Sequence, residues 1–444
     1  MMAAAPTNRE AAWAQAQRLR EDGRIETAAD TVLALWQEAR GDRAGVLATL
    51  EFLKECGAQQ RALPVARDAH TRWPGDARIA AEAGEIALAL GRFDEAALAL
   101  REAIDLDPKQ GAAWLRLAHC RRFTEDDADV QRFRRGWSDP GLDETARTCA
   151  GFAFGKALDD LGDYGQAAQV LTQANALARR AANWRIDTWR RFVDAQLNAP
   201  ALPTLPVDAE FTPIFVVGMP RSGTTLVAST LARHAAVRDR GELNWVPALH
   251  ALLREQGQLR NPQALAAVAT VIRAQMRRDD APARFHLDKN PLNFRYLDFI
   301  AACFPNAKIV QCRRGARDTA LSIWMQHFAH EDLGFAYDLA DISNVGKGCD
   351  ALMTHWRARL PLAILDVDYE CFVAEPQAQR HRLEEFLGLP ARVDGDATDH
   401  GNIQSITTAS VWQVRQPVYT HAVERWRRYA PYLPELATLF PERA

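Results

Sequence analysis

A chain of 444 residues with 48% hydrophobic residues is long enough for two or three domains, each with its own apolar core. A net charge of −3 gives no reason to expect nucleic acid or an anionic membrane surface as the main partner. Seven scattered cysteines with no CxxC pair argue against a disulfide framework or a zinc site, and without a signal-type start or a run of ~18 apolar residues the chain reads as cytoplasmic, with no membrane span.

The first elements form a repeat. Gly23, Gly57 and Gly91 recur every 34 residues, and five positions after each stands Ala28, Ala62 or Ala96. Leu35, Ala69 and Ala103 follow at twelve, and Pro74 and Pro108 are again 34 apart. That is the period of tetratricopeptide repeats. Small residues let two antiparallel helices approach closely, glycine closes the turn between them, and proline ends the second helix. Residues 77–108 are the clearest copy, and Ala153–Arg180 keeps the same offsets through Gly155, Gly162, Ala167 and Ala174. The stretch 121–145 is polar and off period, as a degraded or interrupted repeat would be. Residues 1–198 therefore resemble an all-α tetratricopeptide solenoid of roughly four to five repeats. Its concave surface would bind a peptide or protein, or the solenoid supports or dimerises the rest of the chain. Trp184, Trp189 and Phe192 are expected on a closing helix that seals the solenoid end. The run from Asn198 to Pro213, with Pro200, Pro203 and Pro206, reads as a stiff linker over 199–212.

From residue 213 the pattern changes. The apolar run Ile214–Val217, a polar turn bounded by Gly218 and Gly223, and apolar residues at helical spacing from Leu226 describe strand, turn and helix start. Unpaired N–H groups and the dipole at such a helix start make a cradle for phosphate. The two glycines are spaced as in a Walker A loop, but Thr224 stands where that loop has its lysine. Further strands are expected at 236–239, 307–313 and 362–368, after the first at 213–218. Helices are expected at 224–235, 260–278, 292–303, 316–330 and 376–388. Residues 213–444 are thus an α/β domain with a mostly parallel sheet, ligands lying beyond the carboxyl ends of its strands.

PRSGTT (Pro220–Thr225), DKNP (Asp288–Pro291) and RRGARDTALS (Arg313–Ser322), in that order, resemble the sulfotransferase family over about residues 211–440. The resemblance implies transfer of a sulfuryl group from 3′-phosphoadenosine 5′-phosphosulfate (PAPS) to a hydroxyl or amine, leaving PAP. Arg221 with Glu242 and the PRSGTT spelling are most similar to tyrosylprotein sulfotransferases. Those animal enzymes lack the repeats; the fusion resembles bacterial chains that join such repeats to a sulfotransferase domain.

PAPS needs two anion sites. The first is the turn, where Arg221, Ser222, Gly223, Thr224 and Thr225 would surround the 5′-phosphosulfate. The second is Arg314 with Ser322, a guanidinium and a hydroxyl converging on the 3′-phosphate. By the same resemblance Glu242 is the general base of an in-line displacement and Lys289 contacts the transferring group. Glu242 also reads as a charge at the start of a helix near Leu243-Asn244-Trp245, and the chain is one residue longer here than its relatives. Ser410 and Arg415 fall where relatives close a loop over the nucleotide; Trp412 is an adenine stack or a core residue. Arg313 and Arg317 either help the 3′-phosphate or pair with Asp318, and both stay outside the site. His327, His330 and His355, with Asp338 near, fit no ligand spacing and are structural or line an acceptor pocket. Sulfuryl transfer moves less charge than phosphoryl transfer, so no metal is called for.

The leading expectation is a PAPS-dependent sulfotransferase whose acceptor is a protein or peptide hydroxyl held by the repeats, with a homodimer left open. A saccharide or small-molecule acceptor is the alternative within the class. Outside it stand a P-loop nucleotide or metabolite kinase, opposed by Thr224 in the lysine slot, and an inactive repeat scaffold, opposed by the intact set Arg221, Glu242, Lys289, Arg314 and Ser322.

Overall fold

The computed structural model describes residues 8–38, 42–280, 283–328, 330–389 and 422–441. The helical half consists of antiparallel pairs: α1 (Asn8–Glu21) with α2 (Ile25–Glu38), α3 (Arg43–Glu55) with α4 (Gln59–Arg72), and α5 (Ala77–Ala89) with α6 (Phe93–Leu106). α7 (Gly111–Ala118) and α8 (Ala128–Ser138) both pack on α9 (Glu144–Leu161), which pairs with α10 (Tyr164–Ala181) to continue the stack, and α11 (Ile186–Asn198) follows it. The repeated glycines sit at the tight turns with φ of 75° (Gly23), 73° (Gly57), 75° (Gly91) and 81° (Gly162), a left-handed conformation open to glycine at little steric cost. Ala28, Ala62, Ala96 and Ala167, five residues on, are fully buried where paired helices touch. The off-period stretch 121–145 follows the short, eight-residue α7; it holds an irregular connection, then α8, whose first turn Asp127 caps, and the loop that leads into α9.

The other half is built on a five-stranded, all-parallel sheet of order β2-β3-β1-β4-β5. Its strands are β1 (Thr212–Gly218), β2 (Val237–Asp239), β3 (Phe285–Asp288), β4 (Lys308–Arg313) and β5 (Ala363–Asp368). Four lie where expected. The unexpected β3 is four residues long with His286 and Asp288 in it, too short and polar to stand out. It is fully buried because it pairs on both edges, with β1 and β2. In chain order the helices are α12 (Thr224–Ala232), α13 (Trp245–Glu255), α14 (Pro262–Arg277), α15 (Leu297–Cys303), α16 (Ala316–Trp324), α17 (Leu339–Arg359), α18 (Tyr369–Ala374) and α19 (Pro376–Leu387). α13, α17 and α18 were not expected, and α16 stops well before the expected end at 330. Gly346 and Gly348 hide α17 in the sequence. Gly348 is there because a Cβ would meet the Trp189 ring at 2.7 Å.

The proline-rich connection 199–211 carries no helix or strand, yet it is no free spacer. Leu205 N donates to the Ala302 carbonyl at 2.9 Å, Asn306 Nδ2 donates to the carbonyls of Asp208 and Phe211, and Phe211 is fully buried. The helical half lies against the sheet half at both ends. At the first, Asp279 caps α2 through Glu26 N (2.7 Å), Thr27 N (3.0 Å) and Thr27 Oγ1 (2.6 Å), while Gln275 Nε2 donates to the carbonyls of Arg20 and Glu21. At the second, Asn175 Nδ2 donates to the Trp324 carbonyl, and Trp184, Trp189 and Phe192 meet Phe335, Phe294 and Tyr296. The aromatic cluster expected to seal the solenoid packs between the halves instead; Trp184 precedes α11, which carries the other two. No helix among the described residues is long and apolar enough to cross a membrane.

Candidate active site

The carboxyl ends of the strands bring Gly218, Asp239, Asp288, Arg313 and Asp368 to one edge of the sheet. The central strand, β1, feeds the turn between Gly218 and Gly223, which opens α12. The turn takes three residues at positive φ: Gly218 (146°), Arg221 (67°) and Gly223 (101°). A Cβ at Gly218 would come within 2.4 Å of the Cys312 carbonyl oxygen, so β4 itself demands glycine there. Arg221 has no such freedom, and a non-glycine residue held at positive φ stores strain of order 1 kcal/mol or more. Its contacts account for the conformation. Arg221 Nε donates to Ser322 Oγ at 3.1 Å, and its carbonyl accepts from Arg314 Nη1 at 3.1 Å.

Residues expected at opposite anion sites therefore touch. Arg314, next after β4, also donates from Nη2 to the Ala422 carbonyl at 2.6 Å and lies over the Tyr369 ring at 4.7 Å. Ser222 and Thr224 are buried, Gly223 and Thr225 half-buried. Ser222 Oγ and Arg314 Nε are buried with no hydrogen-bond partner among the described residues. A buried hydroxyl left unpaired costs about 1–3 kcal/mol. It is the sort of orphaned donor that an anion in the turn would satisfy.

The second cluster joins the loop after β2 to the end of β3. Lys289 Nζ forms an ion pair with Glu242 Oε1. The neighbouring backbone and side chains hold that pair in place: Lys289 N donates to the Gly241 carbonyl (2.8 Å), Asn290 Nδ2 to the Leu243 carbonyl (3.1 Å), and Leu243 N to Asp288 Oδ1 (3.1 Å). Asn293 Nδ2 donates to Asp288 Oδ2 at 3.0 Å. Burial pushes the Asp288 carboxyl up to about 8 against these two hydrogen bonds, and the negative charges of Glu242 and Asp239 add to the rise. Asp239, likewise raised by burial, accepts from Gly241 N. Asp288, Lys289 and Asn290 thus act together as the clamp on residues 241–243.

Residues 213–394 match the sulfotransferase family, and residues 77–110 match the tetratricopeptide repeat. Over residues 213–394 the C-terminal half is thus similar to the sulfotransferase family. An uncharacterized protein of Aquifex aeolicus (strain VF5) is 29% identical over 88% of this chain and 54% of its own length. Protein-tyrosine sulfotransferase A of Caenorhabditis elegans is 27% identical over 48% of this chain and 60% of its own length. Protein-tyrosine sulfotransferase 2 of Gallus gallus is 26% identical over 51% of this chain and 67% of its own length. The chain thus spans a little over half to two thirds of the length of these relatives.

Three further residues of the C-terminal half bear on the site: Asn290 and Tyr369, which were not singled out, and Asp318, expected only as an ion partner of Arg313 or Arg317. Asp318, on α16, accepts from Glu424 N (2.7 Å) and Trp426 N (2.9 Å), Tyr369 supports Arg314, and Asn290 supports the Glu242 loop. Arg313 reaches Asp366 and Asp368 at 3.8 and 3.9 Å, whereas Arg317 donates to the Phe440 carbonyl and stacks over Trp426. His119, from the helical half, is a fourth addition: burial, with the positive charges of Lys156 and Arg221 nearby, holds its imidazole down at about 3. No sequence signal links residues so far apart in the chain. The other histidines separate: His327 packs between Phe152 and Tyr337 and burial lowers it to about 4, His330 is exposed beside Asp332, and His355 lies against Trp356. Among the described residues no three His, Cys, Asp or Glu side chains gather as a metal-ligand set. Ser410, Trp412 and Arg415 lie outside the described residues.

Proposed function

We propose that this chain transfers the sulfuryl group of PAPS to a hydroxyl acceptor, and that the acceptor is a tyrosine of a protein or peptide. One observation carries the donor: the buried, unpartnered Ser222 hydroxyl in a glycine-bounded turn at the start of α12. That is an anion cradle with an unused donor. Ser222, Gly223, Thr224 and Thr225 would hold the 5′-phosphosulfate with Arg221, and Arg314 with Ser322 the 3′-phosphate. The contacts of Arg221 with Ser322 and Arg314 fix the spacing of the two anion sites before anything binds, which lowers the entropic cost of orienting the donor. When bound, PAPS supplies an electrophilic sulfur and a phosphate leaving group.

Glu242, the exposed member of its ion pair, accepts the proton of the acceptor hydroxyl. Lys289, buried beside it, supplies positive charge in a place shielded from water, where charge stabilisation is strongest. Tyrosine as acceptor is supported by protein-tyrosine sulfotransferases among the relatives and by an adjoining repeat half of a kind suited to polypeptides. The test is incubation with ³⁵S-labelled PAPS, cell extract and tyrosine-containing peptides. Label on tyrosine is the expected result; label on saccharide alone refutes the acceptor, and no label in any fraction refutes the transfer.

A further inference from the structure

The segment 422–440, with its short helices Trp426–Tyr429 and Glu435–Leu439, lies between the two halves and is bonded to both. On the sulfotransferase side, Asp318 accepts from the N–H groups of Glu424 and Trp426, Arg317 Nε donates to the Phe440 carbonyl, and Ser343 Oγ donates to the Leu439 carbonyl at 3.0 Å. Its first described residue, Ala422, presents its carbonyl to Arg314 Nη2. On the helical side the contact centres on one carboxylate. Asp159, near the end of α9 and 12% exposed, accepts from the Tyr429 hydroxyl at 2.7 Å and forms an ion pair with Arg425. Tyr164 meets the Tyr429 ring edge-on at 5.3 Å, and Gly165 leaves room for Tyr432, whose ring would lie 3.1 Å from a Cβ there.

An unbroken series of contacts thus runs from Asp159 through Arg425 and Tyr429, along the segment to Ala422, and on to Arg314, Arg221 and Ser322. Arg314 is held from three sides, by the Ala422 carbonyl, the Arg221 carbonyl and the Tyr369 ring. One of those supports is only as fixed as the segment that carries it. Tyr429 is fully buried, so without the Asp159 carboxylate its hydroxyl would be left unpaired in an apolar place, at a cost that favours displacement of the segment.

We propose that Asp159 is a positioning residue for the nucleotide's anion site: the helical half sets the orientation of Arg314, and so the affinity for the donor, through the segment 422–440. This rests on the donor reading given above. It assigns the helical half a part in holding the donor, besides any part in holding an acceptor.

The test uses the full chain and PAP binding measured by calorimetry, with thermal unfolding of each variant followed in parallel. D159A is expected to weaken PAP binding about tenfold, and Y429F, which removes only the phenol donor, by a smaller factor. Decisive is the combination with R314A: once the guanidinium is gone, D159A should add little to the loss of PAP affinity, whereas its effect on unfolding stays. Equal losses of PAP affinity from D159A in the wild-type and R314A backgrounds would overturn the proposal, as would unchanged affinity in D159A. Should D159A not fold, Y429F alone and with R314A decides by the same comparison. Wild-type chain that binds PAP while these variants bind it equally well sinks only this inference; wild-type chain that fails to bind PAP sinks the donor reading and this inference with it.

Discussion

Lys289 and Glu242 form an ion pair with unlike surroundings: the lysine side chain is 4% exposed and the glutamate side chain 42%. Removing either partner leaves the other alone, but a lone Glu242 is hydrated while a lone Lys289 is a charge held in the protein interior. Breaking a buried pair by removing the outer partner costs about 3–5 kcal/mol at the buried limit. A half-exposed pair should lie below that. Glu242→Ala is therefore expected to lower the unfolding free energy by about 2 kcal/mol or more, and Lys289→Met, of similar volume and apolar, by clearly less. Urea unfolding of the two variants measures it; equal losses would contradict the asymmetry.

The same residues divide by the step they serve. Glu242→Gln keeps the size of the side chain and removes the base, so turnover should fall about 10²- to 10⁴-fold while PAP binds as before. Arg314→Ala removes a charge-assisted contact to the nucleotide and should weaken PAP binding about tenfold or more. Label transfer from ³⁵S-PAPS and calorimetry with PAP separate the two. Full activity in Glu242→Gln would mean that another group takes the proton.

Asp288 gives the protein a stability component with an unusual pH slope. Its carboxyl is pushed by burial from 3.8 to about 8, so between those values the folded chain holds a proton that the unfolded chain has released. The contribution is complete below the unfolded value and is lost as pH rises towards 8. Asn293 Oδ1 has no partner among the described residues, and a half-turn of that amide would let a protonated Asp288 donate to it. Asp288→Asn cannot ionise. The stability of the wild type relative to Asp288→Asn should therefore fall from pH 5 to pH 8, by at most about 1.4 kcal/mol per pH unit. Urea unfolding at several pH values checks it, and a difference independent of pH would place the ionised form in the folded protein.

How much of this was legible in the sequence depended on whether the partners are neighbours in the chain. The turn after β1 declares itself because strand, glycines and helix start follow within a dozen residues, and Gly23, Gly57 and Gly91 repeat a requirement that each turn meets locally. β3 was not legible, since its four residues owe their extended form to register with β1 and β2 rather than to their own composition. Nor was the docked linker: prolines around Phe211 describe a stiff chain but not the cavity between His286 and Phe304 that the ring fills. Arg221, Arg314 and Ser322 were each singled out, yet assigned to two sites; only the fold shows that Arg221 joins them, its side chain to Ser322 and its carbonyl to Arg314. The link from Asp159 to Tyr429 crosses most of the chain and has no local signal.

Gly23 and Gly162 separate the local requirement from the distant one. Both close a helical turn with nearly the same φ, 75° and 81°, so an alanine at either meets the same backbone strain, about 1–2 kcal/mol. Their surroundings differ. A Cβ at Gly162 has only the Tyr164 hydroxyl within 4.0 Å, whereas one at Gly23 would lie 2.3 Å from the Ala274 carbonyl oxygen, on α14 of the other half. That carbonyl belongs to rigid helix backbone, so the contact can be relieved only by moving α1 and α2 away from α14. Such a movement would pull Glu26 and Thr27 from the Asp279 carboxylate, and the Arg20 and Glu21 carbonyls from Gln275. Gly162→Ala should therefore cost only the backbone strain and leave the halves docked. Gly23→Ala should cost several kcal/mol more, of the order seen for broken buried networks, and open the junction between the first repeat and α14. Unfolding free energies together with limited proteolysis of the folded chain distinguish the cases: equal costs, with no new cleavage near residues 275–280 in Gly23→Ala, would show that the halves do not meet at this turn in solution.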